Sequence, residues 1–282
     1  MYFNKIDSDG KNKEGIGSIC QFQLLGYGLS KSLGQSYYFN KFKNVAVGKN
    51  KDNLDNELNN FFNFDYDQDE TRKYFKIFEG YFGDRQSSLN KIQRKLFYML
   101  CNFFIKKIFT KKIIINLFDE INYESEILYD NNFLNVAIHL RSPQYNQDVI
   151  FEKKRRVYYD LFSQIDYLNA LIRVIEHTNN DKKIKFFIFT DTKHNNLNQL
   201  KPLRESNNVE YVITNNIPKT IYHLASADIL IAANSGLSLI SHYLSSGTTF
   251  FHESIKLRNE PIYPNAITVD DDGFFDTKNK IQ

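Results

Sequence analysis

Apolar residues follow two different rhythms along the chain. In the second half, short apolar runs alternate with longer amphipathic ones, which predicts strands at 134–140, 185–191, 209–213, 228–233 and 248–251. Between them the spacing predicts helices over 160–177, 195–205, 218–226 and 236–244, with Pro218 in a first helical turn, where its missing N–H costs nothing. Strands that alternate with helices predict a parallel sheet covered on both faces, and such sheets bind ligands at the carboxyl ends of their strands.

The first half is less regular. A strand at 2–6, a glycine-bearing loop, a helix over 18–33 and a strand at 45–47 precede helical spacing at 54–62 and 87–109. The last of these carries Leu89, Ile92, Leu96, Met99, Leu100 and Phe103, and the stretch 96–118 reads as a buried helix followed by a strand. Residues 96–118 are the most apolar candidate for a membrane span, but Lys106, Lys107, Lys111 and Lys112 interrupt its centre, where a spanning helix tolerates charge badly. The polar stretch YESEILYDNN at 123–132 reads as a connection, predicting an N-terminal domain at 1–130 and a C-terminal domain at 131–282. No repeat at a fixed period suggests a solenoid.

Composition narrows the class. The 282 residues suit one large domain or two of ordinary size, and 42% hydrophobic residues are enough to build substantial cores. Basic and acidic residues nearly balance, 36 against 33, and are scattered among one another, which argues against a dedicated nucleic-acid surface. Two cysteines, Cys20 and Cys101, are too few for a disulfide framework, and the N-terminal MYFNKIDSDGKNKEG lacks the apolar core of a signal peptide. These features predict a soluble protein of a reducing, cytoplasmic compartment.

Three predicted strand ends in the second half carry polar groups. They are His139 with Arg141, Thr190 with Asp191, and Asn234 with Ser235. Ser235 is a good N-cap, and Gly236 leaves the first backbone N–H groups of the next helix accessible, which suits an anion. Arginine holds phosphate in a bidentate fork and keeps its charge at any working pH. Singly, each element has an ordinary structural role, as an ion-pair partner or a cap; in this order on neighbouring strand ends they suggest a bound pyrophosphate.

Metal and nucleophile chemistry find less support. Asp65, Tyr66 and Asp67 form an Asp-x-Asp of the kind that holds Mg²⁺ or Mn²⁺ against a diphosphate, yet they sit in an acidic cluster before a predicted helix, where acidic residues have an electrostatic reason to be. The six histidines show no zinc-binding spacing, and Gly-Ser-Ile-Cys at 17–20 is no nucleophile motif.

Four segments resemble those of GT-B fucosyltransferases, most of all the α1,2-fucosyltransferase family. VAIHLR is similar to the family's strand ending in His-x-Arg, FFIFTD to its FFIFSDD strand, ADILIAANSGLSLISHYLS to its ADxLIxSNSSFSxxxAxL segment, and GIGSICQFQLLGYGLSKSLG to its N-terminal loop and helix. Together they extend over 15–252. The resemblance implies an α/β, GT-B-like fold with two Rossmann-like domains facing a cleft and a parallel sheet in the C-terminal domain. It implies a metal-independent, inverting glycosyltransferase with no cofactor, moving L-fucose from GDP-β-L-fucose to a glycan hydroxyl, with α1,2 linkage.

Carried over by position, Arg141 matches the arginine on the β-phosphate and His139 the histidine beside base and ribose. Asp228 matches the acceptor for guanine N1 and N2, and Asn234, Ser235, Gly236 and Ser238 match the segment near the phosphates. Thr190 and Asp191 match the lining of the donor cleft, and Gly15 and Gly17 the loop that faces the cleft from the first domain.

Departures bear on the catalytic base. Ser142 and Pro143 follow Arg141 where the family commonly has an aspartate, leaving Asp148 as first choice, with Glu152 and Glu14 as alternatives. Two other readings stay open, a GT-B enzyme using another nucleotide sugar and a catalytically silent sugar-nucleotide or glycan-binding module.

Overall fold

A computed structural model of the chain describes residues 5–6, 16–34, 37, 39, 41–42, 53–62, 64, 79–80, 96, 99–100, 103, 128–140, 165–178, 183–190, 209–213, 216–233, 235–252 and 266–270. The chain divides into two compact units, Met1–Glu124 with Glu260–Pro264, and Ser125–Asn259 with Asn265–Gln282.

In the second unit, β3 (Phe133–Leu140), β4 (Lys183–Thr190), β5 (Val209–Ile213), β6 (Ile229–Ala232), β7 (Thr248–His252) and β8 (Ala266–Val269) form one sheet in the order β5-β4-β3-β6-β7-β8. Every pairing is parallel. The α/β class and the parallel sheet expected from the apolar rhythm are thus both present. The expected strand at 209–213 and helix at 236–244 fall on those residues, whereas β8 has no counterpart in the sequence reading. Its four residues, AITV, follow a segment containing Pro261 and Pro264 and are too few to establish a period. The helix expected at 195–205 lies outside the described residues.

Alternation along the strands builds two cores. Val136, Ile138, Ile188, Ile231 and Phe250 point to one face and pack with Leu168, Leu171 and Ile175 of helix α3 (Ile165–Thr178). The other face carries Ala137, Phe187, Phe189 and Phe251 and is covered by α4 (Ile217–Ser226) and α5 (Gly236–Leu244). Ring contacts of Phe189 with His223 and of Phe251 with His242 fix that side. Asn216 caps α4 by accepting from the Lys219 N–H at 2.8 Å, and Pro218 sits in the first turn.

The described part of the first unit has α1 (Ile16–Ser32), α2 (Leu54–Phe61) and a two-residue parallel pairing of β1 (Lys5–Ile6) with β2 (Glu79–Gly80). Gly34, at φ 69°, ends the α1 turn in the left-handed conformation that glycine adopts without strain. An aromatic core of Tyr27, Tyr37, Phe39 and Phe64 joins the helix to the chain beyond it, with ring centroids 4.7–5.6 Å apart. The Asn59 amide of α2 accepts from the Phe42 N–H at 2.8 Å and donates to its carbonyl at 3.0 Å, satisfying both backbone groups of that residue. The strand expected at 45–47 lies outside the described residues.

One expectation is overturned in this unit. Leu96, Met99, Leu100 and Phe103 are helical, but Leu96 is 38%, Met99 56% and Phe103 78% exposed, so this face is not the buried one that the periodicity implied. Helical spacing shows that a face is apolar; it does not say what covers it. No helix among the described residues is long and apolar enough to cross a membrane.

Two predictions follow from the packing of the sheet. A Cβ on Gly247 would lie 2.5 Å from the carbonyl oxygen of Asp228 and closer still to that of Ala227, where the start of β7 passes the loop before β6. Gly247→Ala should therefore destabilise by roughly 2 kcal/mol through overpacking against backbone that cannot retreat, read as a lower urea midpoint with unchanged slope. His242 is buried in the α5–sheet interface, and burial lowers its pKa to about 3. Its neutral form is the folded one, so stability is present above the unfolded histidine pKa near 6.5 and is lost as pH falls toward 3. Between pH 7 and pH 5 this one group should cost about 2 kcal/mol. Stability curves of the protein and its His242→Leu variant should converge by that amount over the interval; parallel curves would refute the assignment.

Candidate functional site

The strand order reverses once. From β3 the chain steps to β4 and β5 on one side, then returns to place β6 against the other side of β3. Crossovers between parallel strands are right-handed, so reversing direction moves the covering helix to the opposite face. Accordingly α3, which follows β3, packs on one face, and α5, which follows β6, packs on the other. This puts the topological switch point at the carboxyl ends of β3 and β6, where open α/β sheets have the crevice that binds ligands.

His139 is the second-last residue of β3 and is buried, at 9% exposure. In register it lies beside Phe189, on the face covered by α4 and α5. Its Nδ1 and the Ser238 hydroxyl share a hydrogen bond of 2.6 Å. Ser235 stands just beyond β6 as the N-cap of α5, its Oγ accepting from the Ser238 N–H at 3.2 Å. The Ser235 hydroxyl lies 3.4 Å from Ser238 Oγ and 3.5 Å from His139 Nδ1. An imidazole, two hydroxyls and the amino end of a nine-residue helix therefore meet at the switch point. Gly236, half-buried, opens the helix beside them, and the dipole and first N–H groups of α5 favour an anion there.

Other predicted site residues are placed differently. Thr190 ends β4 at the same edge, but it pairs in register with Leu140 and so faces the α3 side, away from His139. Gly17 is the second residue of α1 and not part of a loop, because the helix starts at Ile16, two residues earlier than the sequence suggested. Arg141, Asp148, Asp191, Asn234, Gly15, Glu14 and Glu152 lie outside the described residues, as do Asp65 and Asp67. Among the described residues no His, Cys, Asp or Glu side chains cluster in a way that would hold a metal ion.

Asp228 lies away from this cluster. It precedes β6, whereas Ser235 follows it, and four strand residues rise about 13 Å, so the two stand at opposite edges of the sheet. Its carboxylate accepts from the Asn135 N–H at 2.8 Å and the Asn135 amide at 3.3 Å, joining the amino ends of β3 and β6. The Asn135 amide also donates to the carbonyls of Asp130 and Phe133. Sequence reasoning passed over Asn135, although a buried asparagine in an otherwise apolar strand was a visible signal of a polar partner. Nearby, the Tyr129 hydroxyl donates to the His223 carbonyl at 2.6 Å, and burial, with the Asp228 charge adding to it, pushes that phenol well above its usual range.

A scan of the sequence against protein-family models finds no match, and a search of curated proteins finds none either. Among solved structures, the chain is similar to a NodZ alpha-1,6-fucosyltransferase soaked with GDP-fucose, at 11% identity and a TM-score of 0.39 over 93% of this chain and 97% of that one. It is also similar to fucosyltransferase NodZ from Bradyrhizobium, at 11% identity and a TM-score of 0.37 over 86% and 92%. A third, NodZ alpha-1,6-fucosyltransferase co-crystallized with GDP, gives 12% and 0.35 over 98% and 97%.

If Asp228 staples the two central strands, Asp228→Ala should lower stability by roughly 1–3 kcal/mol, because the buried Asn135 N–H loses its acceptor. Urea unfolding of the variant measures it, and an unchanged midpoint would show that the pair carries no load.

Proposed function

We propose that the protein is an inverting glycosyltransferase of the GT-B type that transfers L-fucose from GDP-β-L-fucose to a glycan hydroxyl, without a metal or cofactor. The observation that carries the reading is the polar cluster of His139, Ser235 and Ser238 at the switch point between β3 and β6. It is supported by the four sequence segments that resemble GT-B fucosyltransferases, two of which contain the residues of this cluster.

The chemistry of the edge distinguishes this reading from a dinucleotide-dependent enzyme. After β3 the chain continues RSPQYNQD, with no glycine through residue 160, so no glycine-rich loop is there to cradle a pyrophosphate with backbone. Arg141, two residues past His139, supplies a guanidinium instead, matched to two phosphate oxygens. The bond from the anomeric carbon to the β-phosphate oxygen breaks with its electron pair going to GDP, while the acceptor oxygen attacks from the other side and inverts the centre. Arg141 and the amino end of α5 stabilise the charge that grows on the diphosphate. His139, its Nδ1 committed to Ser238, is held in one orientation beside the base and ribose. The acceptor proton passes to Asp148. Transfer to the 2-hydroxyl is the linkage that the segment resemblance favours, and residues 1–130 supply the acceptor side.

The test begins with a thermal-shift panel of GDP, UDP, CDP and GDP-sugars. GDP and GDP-fucose should stabilise the protein; preference for a uridine or cytidine nucleotide would overturn the assignment. Arg141→Ala should cost on the order of 100-fold in turnover in a folded protein, with Arg141→Lys nearly as poor because the fork is lost. Asp148→Asn should lower turnover and leave GDP affinity intact, and EDTA should have no effect. Binding of GDP-fucose with neither transfer nor donor hydrolysis would point to a silent binding module.

A further inference from the structure

The hydroxyls at the switch point form a chain with a direction. Ser235 Oγ accepts from the Ser238 N–H at 3.2 Å as the cap of α5, and its own proton goes on to Ser238 Oγ at 3.4 Å. Ser238 Oγ in turn lies 2.6 Å from His139 Nδ1, the shortest contact of the three. Ser238 is fully buried and Ser235 is 3% exposed, so each proton needs a partner within the protein. An Nδ1–H would bring a second donor onto Ser238 Oγ and take from the Ser238 proton the acceptor 2.6 Å away. A bare Nδ1 satisfies every proton in the chain.

We infer that Ser238 is a positioning residue that keeps the proton of neutral His139 on Nε2. In that tautomer the ring serves a ligand as a hydrogen-bond donor at Nε2 and does not take up a proton there. The consequence for the reaction rests on the glycosyltransferase reading above. The ribose and phosphate oxygens of a nucleotide sugar are acceptors, which a donor suits, whereas the attacking hydroxyl must lose a proton, which this tautomer does not remove. Proton removal is left to a carboxylate, and His139 takes part in holding the donor rather than in turning it over.

The tautomer is read without any ligand. In protein isotopically labelled at its histidine nitrogens, at about pH 8, where an ordinary histidine is neutral, long-range proton–nitrogen spectra should show His139 with a protonated Nε2 and a bare Nδ1 that accepts a hydrogen bond. His139→Gln identifies the signal by its loss. Ser238→Ala should shift the Nδ1 resonance toward that of a nitrogen without a partner, whereas Ser235→Ala should melt lower for want of a cap yet leave that resonance in place. With nucleotide, Ser238→Ala should weaken GDP binding and raise the KM for GDP-fucose about 5-fold each, with kcat within about 2-fold, since the contact serves ground state and transition state alike. His139→Gln, whose amide still donates, should keep kcat within about 5-fold of the parent. A proton on Nδ1 in the parent, or a Ser238→Ala spectrum identical to the parent's, overturns the inference. So does a His139→Gln protein that binds GDP normally and has lost about 100-fold in kcat, for that would mark the ring as the base. Failure of GDP to bind would instead refute the transfer reading, and the ligand-free spectrum would still decide the tautomer.

Discussion

The reversal of strand order between β3 and β6 is the constraint on which the rest of the second unit depends. Right-handed crossover connections leave a chain that steps outward in both directions from a central pair with its helices on opposite faces. The distribution of α3 to one core and α4 and α5 to the other is a consequence of that geometry. So is the switch point at the carboxyl ends of β3 and β6, where sheets of this kind have a crevice for ligands. The polar residues found there are those that the ends of β3 and β6 happen to present, a histidine and two serines around a helix start.

The two edges of this central pair have been given different tasks. At the amino edge, Asp228 and Asn135 satisfy each other and the adjoining backbone, which fixes β6 against β3. At the carboxyl edge, hydroxyls are spent on orienting an imidazole and capping a helix, leaving the helix start directed at whatever occupies the crevice. A carboxylate suits the first edge, where backbone donors need an acceptor; it would work against an anion at the second.

Most of the sheet was legible because its strands are short, dominated by apolar residues and bounded by polar turns. The 209–213 strand and the 236–244 helix are clear cases, the latter because Ser235 announces it. Asp228 shows how motif matching and strand position give a residue different places. Similarity to a family segment gave it a ligand, whereas its place ahead of the ILIA run already put it at the edge opposite to Ser235. Thr190 stands at the same edge as His139 but on the other face, since Thr190 lies beside Leu140 and Phe189 beside His139. The stripe of Leu96, Met99 and Phe103 illustrates a third limit, for periodicity records an apolar face and carries no information about its neighbour.

The pairing of β3 with β6 also bears on how the chain reaches this structure. Its staple joins residues 93 positions apart, whereas β3, β4 and β5 are linked in sequence order and pair as they emerge. Contacts that close so long a loop are made late, because the entropy of closure precedes any reward. Neither half of the sheet contains the crevice alone: one holds His139, the other Ser235 and Ser238. A ligand of this site therefore has nothing to bind in a half-assembled sheet, and its binding energy goes to the completed fold.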